Sequence, residues 1–339
     1  MESFRFWAWT GICLPVPRSA EINGGTSMKK EEFFFDSRDG ETSIHGVRWM
    51  PEVPASSVKG IIQIIHGMEE YVGRYEDFAE FMTGRGFIVT GEDHLGHGGT
   101  VAEGGTKGYF CEQDPATVIV RDVHRLKKIT QEKYPGIPVI IMGHSMGSFI
   151  ARNYISRYGS GINMAIIMGT GSMDMSVLNA GEALTKLTAF FKGSKCKPAM
   201  VTKISFGGYL KKIPSPRTPY DWLSANEKNV DDYIADPMCG FGFTANGYLA
   251  LFELMKRMQK SENVAAVPKN LPLLFVAGED DPVGTYGEGV KTAADSYRKA
   301  GVSDITVKLY QGDRHEILNE DNKETVKEDI LEWITARLS

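Results

Sequence analysis

The stretch Val139-Ile140-Ile141-Met142-Gly143-His144-Ser145-Met146-Gly147-Ser148 limits what this chain can fold into more than any other. A β-branched apolar run stops abruptly at Gly-His-Ser-Met-Gly, and a helix-competent segment follows. The pattern predicts a strand, a sharp turn and a helix, with Ser145 at the apex. Such a turn strains the serine backbone and lifts its hydroxyl above the sheet edge. Glycines two before and two after the serine leave room for the reversal. The helix behind the turn directs free N–H groups towards whatever sits on the serine. A bare G-x-S-x-G arises by chance in long chains; the buried-strand run ahead of it gives this one weight.

The rest of the chain keeps the same rhythm. Phe33 to Phe35, a turn at Ser37-Arg38-Asp39-Gly40 and Ser43 to Met50 predict a β-hairpin. Gly60 to Ile65 is a continuous apolar strand, the kind buried on both faces of a parallel sheet. Helical spacing over Tyr75–Gly84 precedes a strand at Phe87–Thr90, and an amphipathic helix spans Thr117 to Lys133. After the Ser145 turn come a helix to Tyr158 and a strand over Met164–Met168. The alternation resumes at Leu271–Val276, with a helix over 285–299, a strand over Ile305–Tyr310 and a last helix over 322–338. Strands and helices alternating this often predict a doubly wound α/β sheet. Residues 170–268 break the rhythm with helical patches and Gly/Pro-rich connections, and read as an inserted helical cap. The core is then 28–169 and 269–339. Residues 1–27, aromatic and proline-interrupted ahead of Met28-Lys29-Lys30, read as a leader outside the fold.

Composition narrows the partners. The chain is 42% hydrophobic and 24% charged, ordinary for a globular protein. A net charge of -5 gives no reason to expect nucleic acid. Cys13, Cys111, Cys196 and Cys239 are too scattered for a zinc site or a disulfide framework, so reduced thiols are expected. No apolar run reaches the ~18 residues of a membrane span. A cytoplasmic location is expected, because the first residues form no convincing signal. An apolar cap rim leaves room for transient contact with a membrane surface. No G-x-G-x-x-G or Walker loop appears, so no nucleotide cofactor is expected.

A serine hydroxyl attacks only when a base takes its proton, and the base is usually a histidine held by a carboxylate. Only His315 follows Ser145 in the sequence, in the loop Gly312-Asp313-Arg314-His315-Glu316. The chain order Ser, acid, His places the acid between them. Glu279-Asp280-Asp281 follows the Leu273–Val276 strand. Asp281, before a proline and three residues past Gly278, is the choice; Glu279 and Asp280 read as caps for the following helix. The oxyanion needs donors: the N–H of Met146, after the nucleophile, and that of Met68, in the loop after the Ile61–Ile65 strand. His94 and His97, in Asp93-His94-Leu95-Gly96-His97-Gly98, lack further ligands for a metal and read as loop-shaping hydrogen-bond groups.

His66-Gly67-x-x-Glu70, Gly73-Arg74-Tyr75, Asp93-His94-x-Gly96-His97-Gly98 and Gly143-His144-Ser145-Met146-Gly147 together resemble the monoacylglycerol lipase and lysophospholipase branch of the α/β-hydrolase superfamily. The resemblance covers roughly 31–338. It implies an eight-stranded, mostly parallel core, a helical cap over the active site, no cofactor and no metal, with Ser145, Asp281 and His315 as the triad and Met68 and Met146 as oxyanion donors. The expected activity is hydrolysis of single-chain lipid esters such as monoacylglycerols or lysophospholipids. A short- to medium-chain carboxylesterase is the alternative; a peptidase of the same fold and a non-catalytic binding protein stand further off.

Overall fold

The sheet begins as the hairpin. In the computed structural model, which describes residues 28–338, Lys29–Asp36 (β1) pairs antiparallel with Ser43–Met50 (β2). Gly60–Ile65 (β3), Phe87–Glu92 (β4), Val139–His144 (β5), Met164–Met168 (β6), Leu273–Gly278 (β7) and Ile305–Tyr310 (β8) complete it in the order β1-β2-β4-β3-β5-β6-β7-β8. β2 meets β4 antiparallel, and every later neighbour runs parallel. The leader assigned to residues 1–27 lies outside the described residues.

Helices cover both faces. They are Glu76–Thr83 (α1), Pro115–Lys133 (α2), Met146–Tyr158 (α3), Met175–Lys192 (α4), Ala199–Phe206 (α5), Glu227–Ala235 (α6), Ala245–Gln259 (α7), Ser261–Ala265 (α8), Glu288–Lys299 (α9) and Lys323–Leu338 (α10). The continuous apolar strands are explained by where alternate side chains go. Ile61, Ile65, Val139 and Ile141 join a core with α2, α3, α7 and α9. Their neighbours Ile62, Ile64, Ile140 and Met142 join a second core with α1 and α10. A strand dry on both faces has no polar side to show.

Some boundaries move for local reasons. The helix expected from 285 begins at Glu288, because Thr285 and Tyr286 take positive φ of 51° and 57° and close a turn first. Nor do Glu279 and Asp280 cap it: both are exposed, and Gly287 holds the cap position. α2 starts two residues early, with Pro115 in its first turn.

Between β6 and β7 every regular element is a helix, α4 to α8. Tyr248, Leu254 and Met258 of α7 are buried in the same core as α2 and α3, which roots this end of the insertion in the body. α4 and α5 instead leave Leu187, Phe190, Phe191, Met200 and Ile204 exposed. Among the described residues, no helix is long and apolar enough to cross a membrane.

One buried group in this core works against stability. Glu92, at the end of β4, is fully buried, and among the described residues neither carboxylate oxygen has a hydrogen-bond partner. Burial, then the negative charges of Asp122 and Asp93, push its carboxyl well above the ordinary range. His94 Nδ1 lies 3.8 Å away but gives no counter-charge, since burial keeps that ring neutral. The folded chain therefore holds a proton that the unfolded chain releases above about pH 4.3. For a raised carboxyl, stability is greatest below the unfolded value and declines as pH climbs towards the folded one. Glu92→Met is expected to add about 1–3 kcal/mol near pH 8, and less near about pH 5. Urea unfolding of both proteins at the two pH values checks this; an equal gain at both, or a loss, would refute it.

Candidate active site

The turn after β5 has the geometry its glycines require. Ser145 takes φ 55° and ψ -122°, a conformation an L-residue adopts only under constraint. Its N–H donates to the Met168 carbonyl at 3.0 Å, and its carbonyl accepts from the Ser148 N–H at 2.8 Å, tying the turn to β6 on one side and α3 on the other. A Cβ on Gly147 would lie 1.9 Å from the Ile65 carbonyl oxygen, and one on Gly143 would lie 2.2 Å from that of Gly147. Both positions are closed to any side chain, which lets α3 start directly against the end of β3.

His315 and Asp281 arrive from neighbouring strand ends. Asp281 follows β7 and is fully buried; one oxygen accepts from the Val283 N–H at 2.8 Å. The other stands 2.9 Å from His315 Nδ1. An ionised carboxylate only accepts, so Nδ1 carries the proton and Nε2 is left bare. That Nε2 is buried and has no hydrogen-bond partner among the described residues. It is an available base. Ser145 and His315 line one cavity of about 560 Å³, and Trp222 from the insertion stands over the His315 ring at 5.1 Å. Met173, Leu184, Val201, Leu251, Phe252 and Met255 form much of its apolar wall.

The loop after β3 borders the same cavity. Met68 and Met146 both line the cavity. The Met68 N–H makes no hydrogen bond among the described residues, and that of Met146 opens α3, where helix geometry leaves it free. This loop is held from below by histidines. His66 Nε2 accepts from the His94 N–H at 3.0 Å while its Nδ1 donates to the Gly67 carbonyl at 2.8 Å. His97 Nε2 accepts from the Glu69 N–H at 3.3 Å while its Nδ1 donates to the Leu95 carbonyl at 2.9 Å. Each ring needs one bare nitrogen, so both are neutral; burial pushes the His97 imidazole down to about 3. Among the described residues, no group of three or more His, Cys, Asp and Glu side chains is placed to hold a metal.

Sequence reasoning missed a charge cluster beneath the site. Arg74 donates to Glu70 at 3.0 Å and, through both terminal nitrogens, to Glu316 at 2.6 and 2.8 Å. Glu70 also accepts from the Tyr75 hydroxyl at 2.8 Å and the Gly67 N–H at 2.5 Å. Asn229 of α6 donates to Glu316 at 2.7 Å. One cluster thus joins the Met68 loop, the His315 loop and the insertion. The only signal for it was Glu316 directly after His315, together with Glu70 and Arg74 inside motifs that matched without an assigned role.

Residues 56–322 match the family described as serine aminopeptidase, S33. A monoacylglycerol lipase of Mycolicibacterium smegmatis is 28% identical, covering 92% of this chain and 99% of the relative. The human monoglyceride lipase is 29% identical over 84% of this chain and 85% of its own. Among solved structures, a highly thermostable carboxyl esterase from Bacillus coagulans superposes with a TM-score of 0.85 at 31% identity, over 92% of this chain and all of that one. With an eight-stranded sheet and a family match spanning most of its length, the chain belongs to the serine aminopeptidase S33 family of α/β hydrolases.

Proposed function

We propose that this protein is a serine carboxylic-ester hydrolase that cleaves single-chain lipid esters, of which monoacylglycerols and lysophospholipids are the type. The observation that carries it is the apolar cavity of about 560 Å³ opening onto Ser145 and His315. Ser145 Oγ attacks the ester carbonyl while bare His315 Nε2 takes its proton. Asp281 holds the resulting imidazolium, and the Met68 and Met146 N–H groups receive the oxyanion. The imidazolium then protonates the departing alcohol, and water repeats the sequence to free the acid. The family's descriptive name mentions an aminopeptidase, but relatives named as lipases and esterases and an apolar wall favour the ester.

Residues 170–268 act in this proposal as the cap, with α7 as its root and α4 and α5 as its outer wall. Val177, Leu184, Val201 and Ile204 face the acyl chain. Leu187, Phe190, Phe191 and Met200 are exposed on the same two helices and suit transient contact with a membrane surface carrying substrate. Free thiols at Cys111, Cys196 and Cys239 fit a reducing compartment, and so a cytoplasmic location.

The carboxyl-esterase relative makes a short-chain preference the second reading. A p-nitrophenyl ester series from acetate to palmitate separates the two. Each methylene buried in the cavity is expected to raise kcat/KM by about fourfold, since it contributes about 0.8 kcal/mol. The rise should continue past butyrate until the cavity is full, and Leu184→Trp should shorten the preferred chain. A maximum at acetate, unmoved by Leu184→Trp, would overturn the lipid-ester reading and leave the esterase one.

A further inference from the structure

The residue before the nucleophile is bonded unlike any other histidine of the site. His144 Nδ1 stands 3.3 Å from Glu70 Oε1, and its Nε2 stands 3.1 Å from the His315 carbonyl oxygen. A carbonyl can only accept. Glu70 is already accepting from Gly67 N–H, Tyr75 O–H and Arg74, so it too is an acceptor here. A neutral imidazole has one N–H and can satisfy only one of these partners. His66 and His97, by contrast, each face one donor and one acceptor. We infer that His144 is a standing imidazolium that positions the His315 loop by donating from both ring nitrogens at once.

Charge balance in the cluster leads to the same assignment independently. Glu70 and Glu316 are both buried, at 4% exposure each, and Arg74 is the one guanidinium between them. Two buried carboxylates against one cation would leave an uncompensated charge, which protein interiors avoid. Imidazolium at His144 brings the four groups to zero. Burial opposes that charge, and the hydrogen bond and attraction from Glu70, with a further pull from Glu316, outweigh it.

The groups facing His144 come from every side. Glu70, Arg74 and Tyr75 lie on the β3 side, His66 lies beneath, and His315 and Glu316 lie on the loop after β8. The His144 and His315 rings are 4.7 Å apart between centroids. Loss of one His144 proton leaves a single N–H, which stays on Nδ1 facing the ionised Glu70, the stronger acceptor, and so frees the His315 carbonyl from its tether. His144 is therefore a positioning residue for the triad, and in this role the inference rests on the proposed hydrolase reading.

Two measurements test it, and the first needs no activity. Nitrogen-15 spectra of the full chain with labelled histidine should show a proton on both His144 nitrogens near about pH 7, above the ordinary histidine value of about 6.5. The resonance is assigned by its loss in H144Q or, if that variant does not fold, by contacts with the Tyr75 ring. One bare nitrogen at that pH overturns the inference, whatever the enzyme hydrolyses. The second is a kcat profile against pH. H144Q should lose about 10- to 100-fold in kcat with KM little changed, and should lack the alkaline fall of the wild type. A variant that is slower at every pH by one factor, with the alkaline fall intact, would mean that His144 only fills space.

Discussion

Ser145→Ala is expected to lose ester turnover by roughly 10⁴- to 10⁶-fold, the scale on which removing a triad serine acts. The fold should survive. The substitution removes only an Oγ, and the turn is held by the Ser145 backbone bonds to Met168 and Ser148, which alanine keeps. Unchanged circular dichroism beside vanished hydrolysis would assign the loss to chemistry. Asp281→Asn should lose about 10⁴-fold with its packing intact. Its amide can present N–H to Nδ1, which drives the His315 proton to Nε2 and blocks the base. If Ser145→Ala retains more than about a hundredth of wild-type turnover, the reaction runs elsewhere. The outcome also decides between catalysis and mere binding, since a hydrolase shell used only for binding has no turnover to lose.

Ser145, His315 and Asp281 could be singled out as candidates in the sequence because each is constrained by local grammar. The strand ahead of Ser145, the lack of any other histidine behind it, and the proline after Asp281 leave few alternatives. Strands β3, β5 and β6 were legible too, since burial on both faces writes a mostly apolar run, broken within β3 only by the buried Gln63. The Glu70–Arg74–His144–Glu316 cluster was not. Its members come from three separate segments, and a charged residue in a loop looks like any solvated one until tertiary packing buries it. The start of α9 was hidden for a different reason: two non-glycine residues at positive φ, Thr285 and Tyr286, carry no turn signature in their names. In the insertion the sequence shows helical patches but not their facing: Leu184 lines the cavity while Leu187, three residues on, is 57% exposed.

Arg74→Ala has the largest expected effect on stability. It leaves Glu70 and Glu316 buried, ionised and facing each other across the space the guanidinium filled. Removing one partner of a buried ion pair typically costs about 3–5 kcal/mol, and for a chain of this size that corresponds to a fall in Tm of about 10 °C. The sign of its pH dependence follows from the cluster. Burial raises the carboxyl of Glu70, but His144 and Arg74 more than reverse it and hold it well below the usual range. Glu316 is likewise lowered by Arg74 against its own burial. Groups depressed in this way contribute stability above their unfolded values, and the contribution is lost as pH falls towards their folded ones. The variant should therefore differ most from wild type near neutral pH. The gap should narrow towards about pH 5, where its carboxylates, no longer depressed, take up protons. Arg74→Lys should recover only part of the loss, because an ammonium cannot make the paired contact with both Glu316 oxygens. If the Met68 N–H serves as proposed, turnover should fall with stability, since Glu70 holds the Gly67 N–H one residue away and a misplaced oxyanion donor costs the transition state directly. Thermal unfolding of the three proteins at both pH values decides it. A Tm within about 2 °C of wild type at neutral pH would mean that the cluster is passive filling, and that the Met68 and His315 loops hold their places without it.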